Sequence, residues 1–195
     1  MFIKNKAIFI DKDGTLIPDI PYNVNPDIIS INDEVIQGLQ LLQDEGYQLI
    51  VISNQSGVAR GYFSLDALQG VERKIKEILA HHQIKITDFY FCPHHPEGTV
   101  AEFAIDCECR KPQPGMILQA CKQHNVDASR SWMIGDILND VEAGNRAGCK
   151  TVLVDNGNET EWLCGEFRTP TYLAMNFLKA TQFIIEHSTE PLQTV

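Results

Sequence analysis

The sequence predicts an α/β fold built on a doubly wound, mostly parallel sheet, and three observations carry that prediction. Apolar tetrads without polar alternation, Ala7-Ile8-Phe9-Ile10 and Leu49-Ile50-Val51-Ile52, read as strands buried on both faces. Segments with helical periodicity lie between successive strands, so the chain needs crossover connections. Three of the strands run into polar stretches, and sheets of this kind bind ligands outside the carboxyl ends of their strands.

Taken in order, the first strand (7–10) leads into Asp11-Lys12-Asp13-Gly14-Thr15-Leu16, where Gly14 lets the backbone turn sharply. Residues 17–31, with Pro18, Pro21, Asn23, Asn25 and Pro26, read as an irregular loop. A helix over 33–45 puts Val35, Leu39 and Leu42 on one face and stops at Gly46. The second strand (47–52) ends in Ser53-Asn54-Gln55-Ser56-Gly57. Ser64 is expected to cap a helix reaching 82, with Leu68, Val71, Ile75 and Ile78 turned inward. A third strand is expected at 88–91, opening into a loop over 92–109 that holds cysteines and histidines. Pro114 then starts a helix to 124, and a fourth strand (131–134) delivers Gly135-Asp136. A helix from Asn139 to Gly148, a fifth strand (151–154), a short strand (172–174) and a helix over 176–187 complete the pattern.

A chain of 195 residues fits one domain able to bury its own core, and neither repeats nor low-complexity linkers divide it. The net charge of −10 argues against a protein that tracks nucleic-acid backbones. No apolar stretch is long enough to cross a membrane, and Met1–Lys6 lacks the apolar core of a signal peptide. A cytoplasmic monomer is expected, with its six cysteines present as thiols or metal ligands.

In an extended segment Asp11 and Asp13 point to the same side. Two carboxylates that close repel, and one is pushed toward its neutral form unless a cation sits between them. The pair therefore suits a metal, and it also supplies a nucleophile beside an acid/base. A polar turn after a strand accounts for Asp and Gly equally well, so the hexapeptide alone decides nothing. The topology, however, brings Asp11/Asp13, Ser53/Asn54, Lys111 and Asp136/Asp140 to one edge of the sheet. Hydroxyl, amide and ammonium donors suit phosphate oxygens, and carboxylates suit Mg²⁺. Asp140 also suits a second role, since an acid in the first turn of a helix is favoured by the helix dipole. Cys92, His94, Cys107 and Cys109 offer three thiolates and an imidazole, a composition fit for structural Zn²⁺, against the alternative of surplus buried thiols. His95 could replace His94 geometrically. Cys121, Cys149 and Cys164 stand alone and read as ordinary thiols.

An Asp-x-Asp-Gly-Thr strand end, a Ser strand end, a Lys and a Gly-Asp-x-x-x-Asp strand end occur here in that order. With them the chain resembles the haloacid dehalogenase superfamily of aspartate-nucleophile phosphatases, whose sheet is Rossmann-like. The resemblance implies that Asp11 is the nucleophile and that Asp13 is first general acid and then base. It implies Mg²⁺ on Asp11, the Asp13 carbonyl and Asp136, with Ser53 and Lys111 neutralising the transferring phosphoryl group. Cys92-Pro93-His94-His95-Pro96-Glu97-Gly98, Cys107-Glu108-Cys109-Arg110-Lys111-Pro112 and the run Ser53–Gly61 are similar to the D-glycero-D-manno-heptose 1,7-bisphosphate 7-phosphatases, over residues 6–187. That implies a sugar bisphosphate as substrate, met by Asn54, Gln55, Arg60 and Arg110 and by the loop holding Asp19 and Tyr22. It also implies a zinc loop that positions Lys111. Ile20-Pro21-Tyr22-Asn23 departs from the His/Ser-Gly-Tyr-Val type of segment expected there. Histidinol-phosphate phosphatases share the zinc loop, but a different second loop is expected in them. A phosphomutase would need a cap domain, which residues 17–32 are too few to form, so the fold is expected to be capless. Acidic charge disfavours a nucleic-acid 3′-phosphatase. Intact Asp11, Asp13, Lys111 and Asp136 disfavour a zinc-ordered binding module with a dead site.

Overall fold

The apolar tetrads form the middle of a single sheet because parallel strands covered on both sides have no polar face to show. The computed structural model describes residues 4–188, so Met1–Ile3 of the segment judged not to be a signal peptide lie outside the described residues. Six strands are present: β1 (Ala7–Ile10), β2 (Gln48–Asn54), β3 (Ile86–Cys92), β4 (Trp132–Gly135), β5 (Lys150–Val154) and β6 (Tyr172–Ala174). Their order is β3-β2-β1-β4-β5-β6, and every pairing is parallel. Five helices flank the sheet: α1 (Asp33–Asp44), α2 (Ala67–His81), α3 (Gly115–Gln123), α4 (Leu138–Arg146) and α5 (Phe177–Glu186).

Strand alternation divides the core. Ile8 and Ile10 join Val35, Leu39 and Leu42 of α1, Val71 and Ile75 of α2 and Phe177 and Ile184 of α5 on one face. Ala7 and Phe9 join Met116 and Ile117 of α3 and Ala143 of α4 on the other. The chain winds outward from β1 through β2 to β3, then returns to lay β4 on the opposite side of β1. That reversal leaves a crevice between the carboxyl ends of β1 and β4, the usual ligand site of such sheets. No cap domain interrupts the loop over 11–32, which contains only a short 3₁₀ turn at Pro26–Ile28. Among the described residues no helix is long and apolar enough to cross a membrane.

Several element starts differ from expectation. The second helix begins at Ala67, and Ser64 contributes its carbonyl to a preceding turn instead of a side-chain cap. Pro114 occupies the capping position ahead of α3, while α4 starts one residue before Asn139. Three strands, β2, β3 and β5, also run longer than the apolar pattern suggested. Ser53 and Asn54 remain in β2 because Phe91 and Cys92 of β3 pair with them. Ladder hydrogen bonds thus carry polar residues that hydropathy alone assigns to a loop.

Gly38 sits inside α1, where glycine costs about 0.5–1 kcal/mol relative to alanine. A Cβ there would lie 2.7 Å from both the Phe177 ring and the Thr181 hydroxyl of α5. Close packing of the two helices therefore outweighs propensity. Gly38→Val should destabilise the protein by about 1–3 kcal/mol through overpacking, read as a lowered midpoint of urea unfolding.

Candidate active site

The crevice is lined by what leaves the ends of β1, β2 and β4. After Ile10 the backbone stays tied to β4, with the Asp11 N–H donating to the Ile134 carbonyl at 3.0 Å, and then turns through Gly14 at φ +86°. A Cβ on Gly14 would fall 2.1 Å from Asp136 Oδ2, so only glycine allows this approach. Gly135 clears space in the same way, because a Cβ there would lie 2.2 Å from the Asp140 Cβ.

Lys111 is buried to 3 % exposure at the centre. Its ammonium group bonds Asp11 Oδ1, meets Asp140 Oδ1 at 2.6 Å and donates to the Ile52 carbonyl at 3.1 Å. Burial opposes its charge, but Asp11 and Asp140 outweigh that penalty and hold it above the ordinary lysine range. Asp140 also accepts the Ile137 N–H at 3.2 Å, so the same carboxylate starts α4 and neutralises Lys111. The helix-start role and the site role of Asp140 meet in one side chain.

Three buried carboxylates, Asp11, Asp136 and Asp140, offer ligand atoms within 4.8 Å of one another. One buried ammonium cannot balance three negative charges. Burial pushes Asp11 up to about 7 and Asp136 up to about 6, and carboxylate neighbours add to the rise. Hard oxygen donors short of positive charge are the donor set a divalent cation such as Mg²⁺ fits. All three carboxylates are placed to contribute to such a site, and Asp140 is in addition tied to Lys111 and the Ile137 N–H.

The second strand end supplies Ser53, Asn54 and Gln55. Both halves of the Asn54 amide are taken by the Lys111 backbone, with Oδ1 accepting its N–H and Nδ2 donating to its carbonyl, each at 2.9 Å. Gln55 Nε2 donates to Asp13 Oδ2 at 2.9 Å and to Ser53 Oγ at 2.8 Å. These amides, expected as substrate contacts, are turned onto the site's own residues, as burial of a polar group demands. Nothing in the sequence pattern marks Lys12, yet it is 1 % exposed and pairs with Asp13. Sequence reasoning misses Thr15 and Asn158 as well: they donate to Asp136 Oδ1 and Oδ2 at 3.0 and 2.7 Å. For Asn158 a signal exists, since Asp155-Asn156-Gly157-Asn158 is a polar turn at the carboxyl end of β5.

A cavity of about 230 Å³ is lined by Asp11, Asp13, Asp19, Asn54, Lys111 and Asp136, among others. A second, of about 290 Å³, shares Asp13, Asp19 and Asn54 and adds Tyr22 and Gln55. Burial and the neighbouring Asp13 raise the Asp19 carboxyl above its usual range. Tyr22 takes a left-handed backbone, φ 57°, and meets Tyr62 edge to face at 4.6 Å.

Beyond Lys111 lies the loop 92–109. Cys109 Sγ is 2.9 Å from Cys92 Sγ and 3.3 Å from both Cys107 Sγ and His94 Nδ1. All three thiols are free. Four such atoms at the corners of a tetrahedron with bonds of about 2.3 Å would sit about 3.8 Å apart, so this cluster is tighter than a bound zinc ion would hold it but has the donor set for one. Hydrogen bonding from Cys92 draws the Cys109 thiol down to about 5, toward the thiolate a metal needs. His95 points away from this cluster, with Nε2 3.4 Å from an Arg60 guanidinium nitrogen. The loop docks on the chain after β2, where Thr99 and Val100 N–H groups donate to the Ala59 carbonyl at 2.8 and 2.9 Å. Arg60 and Arg110 are thereby brought to the same side, and Arg110 is anchored on the His94 carbonyl at 3.3 Å. Arg60 Nε is buried with no hydrogen-bond acceptor among the described residues.

Comparison with known proteins agrees with this architecture. An HAD-hydrolase-like family profile matches residues 108–180, the stretch from the end of the cysteine loop into α5. The D-glycero-beta-D-manno-heptose-1,7-bisphosphate 7-phosphatase of Pasteurella multocida is 46 % identical over 153 residues, 78 % of this chain and 83 % of that protein. The D-glycero-alpha-D-manno-heptose-1,7-bisphosphate 7-phosphatase of Photorhabdus laumondii is 39 % identical over 158 residues, 80 % of this chain and 86 % of that one. A crystal structure of D,D-heptose 1,7-bisphosphate phosphatase from B. bronchiseptica, complexed with magnesium and phosphate, superposes with a TM-score of 0.79 at 28 % identity, covering 93 % of this chain and 98 % of that one. The chain belongs to the family of heptose-1,7-bisphosphate 7-phosphatases, within the HAD-like hydrolases.

Removing one partner from a buried ion pair costs about 3–5 kcal/mol, because it leaves a charge uncompensated. Asp140→Ala should lower stability by roughly that amount, measured by denaturant unfolding, even with the carboxylate of Asp11 still on Lys111.

Proposed function

We propose that the protein removes the 7-phosphate of D-glycero-D-manno-heptose 1,7-bisphosphate by way of a phosphoryl group carried on Asp11. The observation that carries this reading is the Lys111 ammonium held against Asp11 at a cavity that also exposes Asp13 and Asp136. An Asp11 carboxylate oxygen attacks phosphorus, the bond from phosphorus to the sugar oxygen breaks, and Asp13 gives that oxygen its proton. Water then attacks the phosphorylated Asp11 while Asp13 takes the proton back, and inorganic phosphate leaves with the Asp11 carboxylate restored. The Ser53 hydroxyl, which accepts from Gln55, keeps its own proton to donate to a phosphoryl oxygen, beside Lys111. Mg²⁺ would be held by Asp11, the Asp13 backbone carbonyl and Asp136, and it would supply positive charge to neutralise the phosphoryl group.

A bisphosphate needs a second anion site. Arg60 with its unpartnered Nε, together with Arg110 on the docked loop, supports one on the sugar side of Lys111. Asp19 and Tyr22 border the intervening cavity, where the sugar would lie. Zn²⁺ on Cys92, His94, Cys107 and Cys109 would have a closed shell with no position for water, and its part would be to order the loop that carries Arg110 and Lys111. Thiolate ligands also suit the reducing cytoplasm, which we take as the compartment.

The test is phosphate release from a panel of both heptose bisphosphate anomers, heptose monophosphate, histidinol phosphate and an aryl phosphate, with Mg²⁺ present. The heptose bisphosphates should give the highest kcat/KM, and Asp11→Asn should lose several orders of magnitude of turnover while staying folded. Preferred use of histidinol phosphate would overturn the substrate. Cys107→Ser should lose zinc by metal analysis and most activity, yet keep a cooperative unfolding transition, because the sheet and its helices bury extensive apolar cores of their own.

A further inference from the structure

The loop after β5 takes no part in the motif pattern, yet it reaches back over the site. Asn156 Nδ2 donates to the Gly14 carbonyl at 2.7 Å, and the Asn158 N–H donates to Asn156 Oδ1 at 3.1 Å. Glu159 accepts the Leu138 N–H at 2.6 Å, at the first turn of α4. Between those two anchors, Asn158 Nδ2 donates to Asp136 Oδ2 at 2.7 Å. The other oxygen of the same carboxylate accepts from Thr15 at 3.0 Å. Asp136 thus has a donor on each oxygen, one from the turn after β1 and one from the loop after β5. The terminal torsion of an aspartate is otherwise broad, and two donors on opposite ends fix its plane.

Asn158 itself is exposed and lines the 230 Å³ cavity beside Asp11 and Asp136. The chemistry of its side chain matters. A cationic donor at this place would repel a divalent ion, and a carboxylate would repel Asp136. A neutral amide orients the oxygen and leaves the negative charge of the site available to a cation. Groups one step out from a metal that orient its ligands typically change affinity or activity about 10–100-fold when removed.

We propose that Asn158 is a positioning residue that sets the Mg²⁺ affinity of the site by fixing the Asp136 carboxylate, without touching the reacting phosphate. This rests on the reading above that Asp11 and Asp136 hold Mg²⁺. The experiment is calorimetric titration of Mg²⁺ into the substrate-free wild type, Asn158→Ala and Asn156→Ala, alongside kcat as a function of Mg²⁺ concentration. Asn158→Ala should weaken Mg²⁺ binding by about tenfold or more, while kcat at saturating Mg²⁺ stays within about threefold of wild type. Asn156→Ala removes a loop anchor but keeps the donor, and should move the Mg²⁺ dissociation constant by less than about threefold. Unchanged Mg²⁺ affinity in Asn158→Ala would overturn the inference. So would an equal loss in Asn156→Ala, which would make loop order, not the amide, the cause. A wild type that binds no Mg²⁺ would instead sink the metal reading on which both rest.

Discussion

A buried ammonium group between two carboxylates is the constraint from which the site follows. Lys111 lies far from Asp11 and Asp140 in sequence, and only the sheet order, with β1 flanked by β2 and β4, brings the three together. An ammonium at 3 % exposure is tolerable only with such partners. Asn54 holds the lysine's backbone on both sides, Asp140 does double service as the start of α4, and Gly135 is kept small to admit it. Each of these choices narrows what else can occupy the crevice. The excess of buried negative charge that remains is chemistry that a cation would balance.

Around this fixed centre the selective parts are built from loops. The cysteine loop is not an independent appendage, because Thr99 and Val100 bind the Ala59 carbonyl and the Thr99 hydroxyl binds that of Arg60. Order in the loop is therefore transmitted to both arginines. The Tyr22–Tyr62 contact ties the remaining loop to the same segment. The carboxylates and Lys111 sit at strand ends, whose geometry the ladder enforces, whereas the arginines sit on segments that a few hydrogen bonds and a cluster of three thiols and an imidazole hold in place.

The sheet is readable because an unalternating apolar run as short as Ala7–Ile10, followed at once by a polar turn, fits a doubly covered strand better than a helix, and the order of polar strand ends then follows from crossover topology. That Asp11, Asp13, Ser53, Lys111 and Asp136 meet at one crevice is legible on that ground, as is the grouping of Cys92, His94, Cys107 and Cys109 from its composition. Helix starts are less so: Ser64 looks like a cap locally, but the turn into Ala67 uses its carbonyl instead. Asn54 and Gln55 are expected to face the substrate, since sequence gives residue type and rough position but not where an amide finds its partners. Thr15 and Lys12 act through contacts that depend on the folded crevice, and no local pattern announces those, while for Asn158 the polar turn after β5 gives the place but not the partner.

The return of β4 to the side of β1 has a consequence for how the molecule comes into being. Asp11 takes its backbone partner from Ile134, far along the chain, so the turn that presents it, although closed locally by bonds such as Gly14 N–H to the Ile17 carbonyl, is not tied to β4 until that strand arrives. A chain emerging from the ribosome can assemble β1, β2 and β3 with their helices, but not the crevice. Long-range parallel pairing is slow to form because loop closure precedes its reward. Hydrolytic competence therefore comes last in biogenesis, after most of the polypeptide has been made, and truncated or partly assembled chains are held free of it by topology alone.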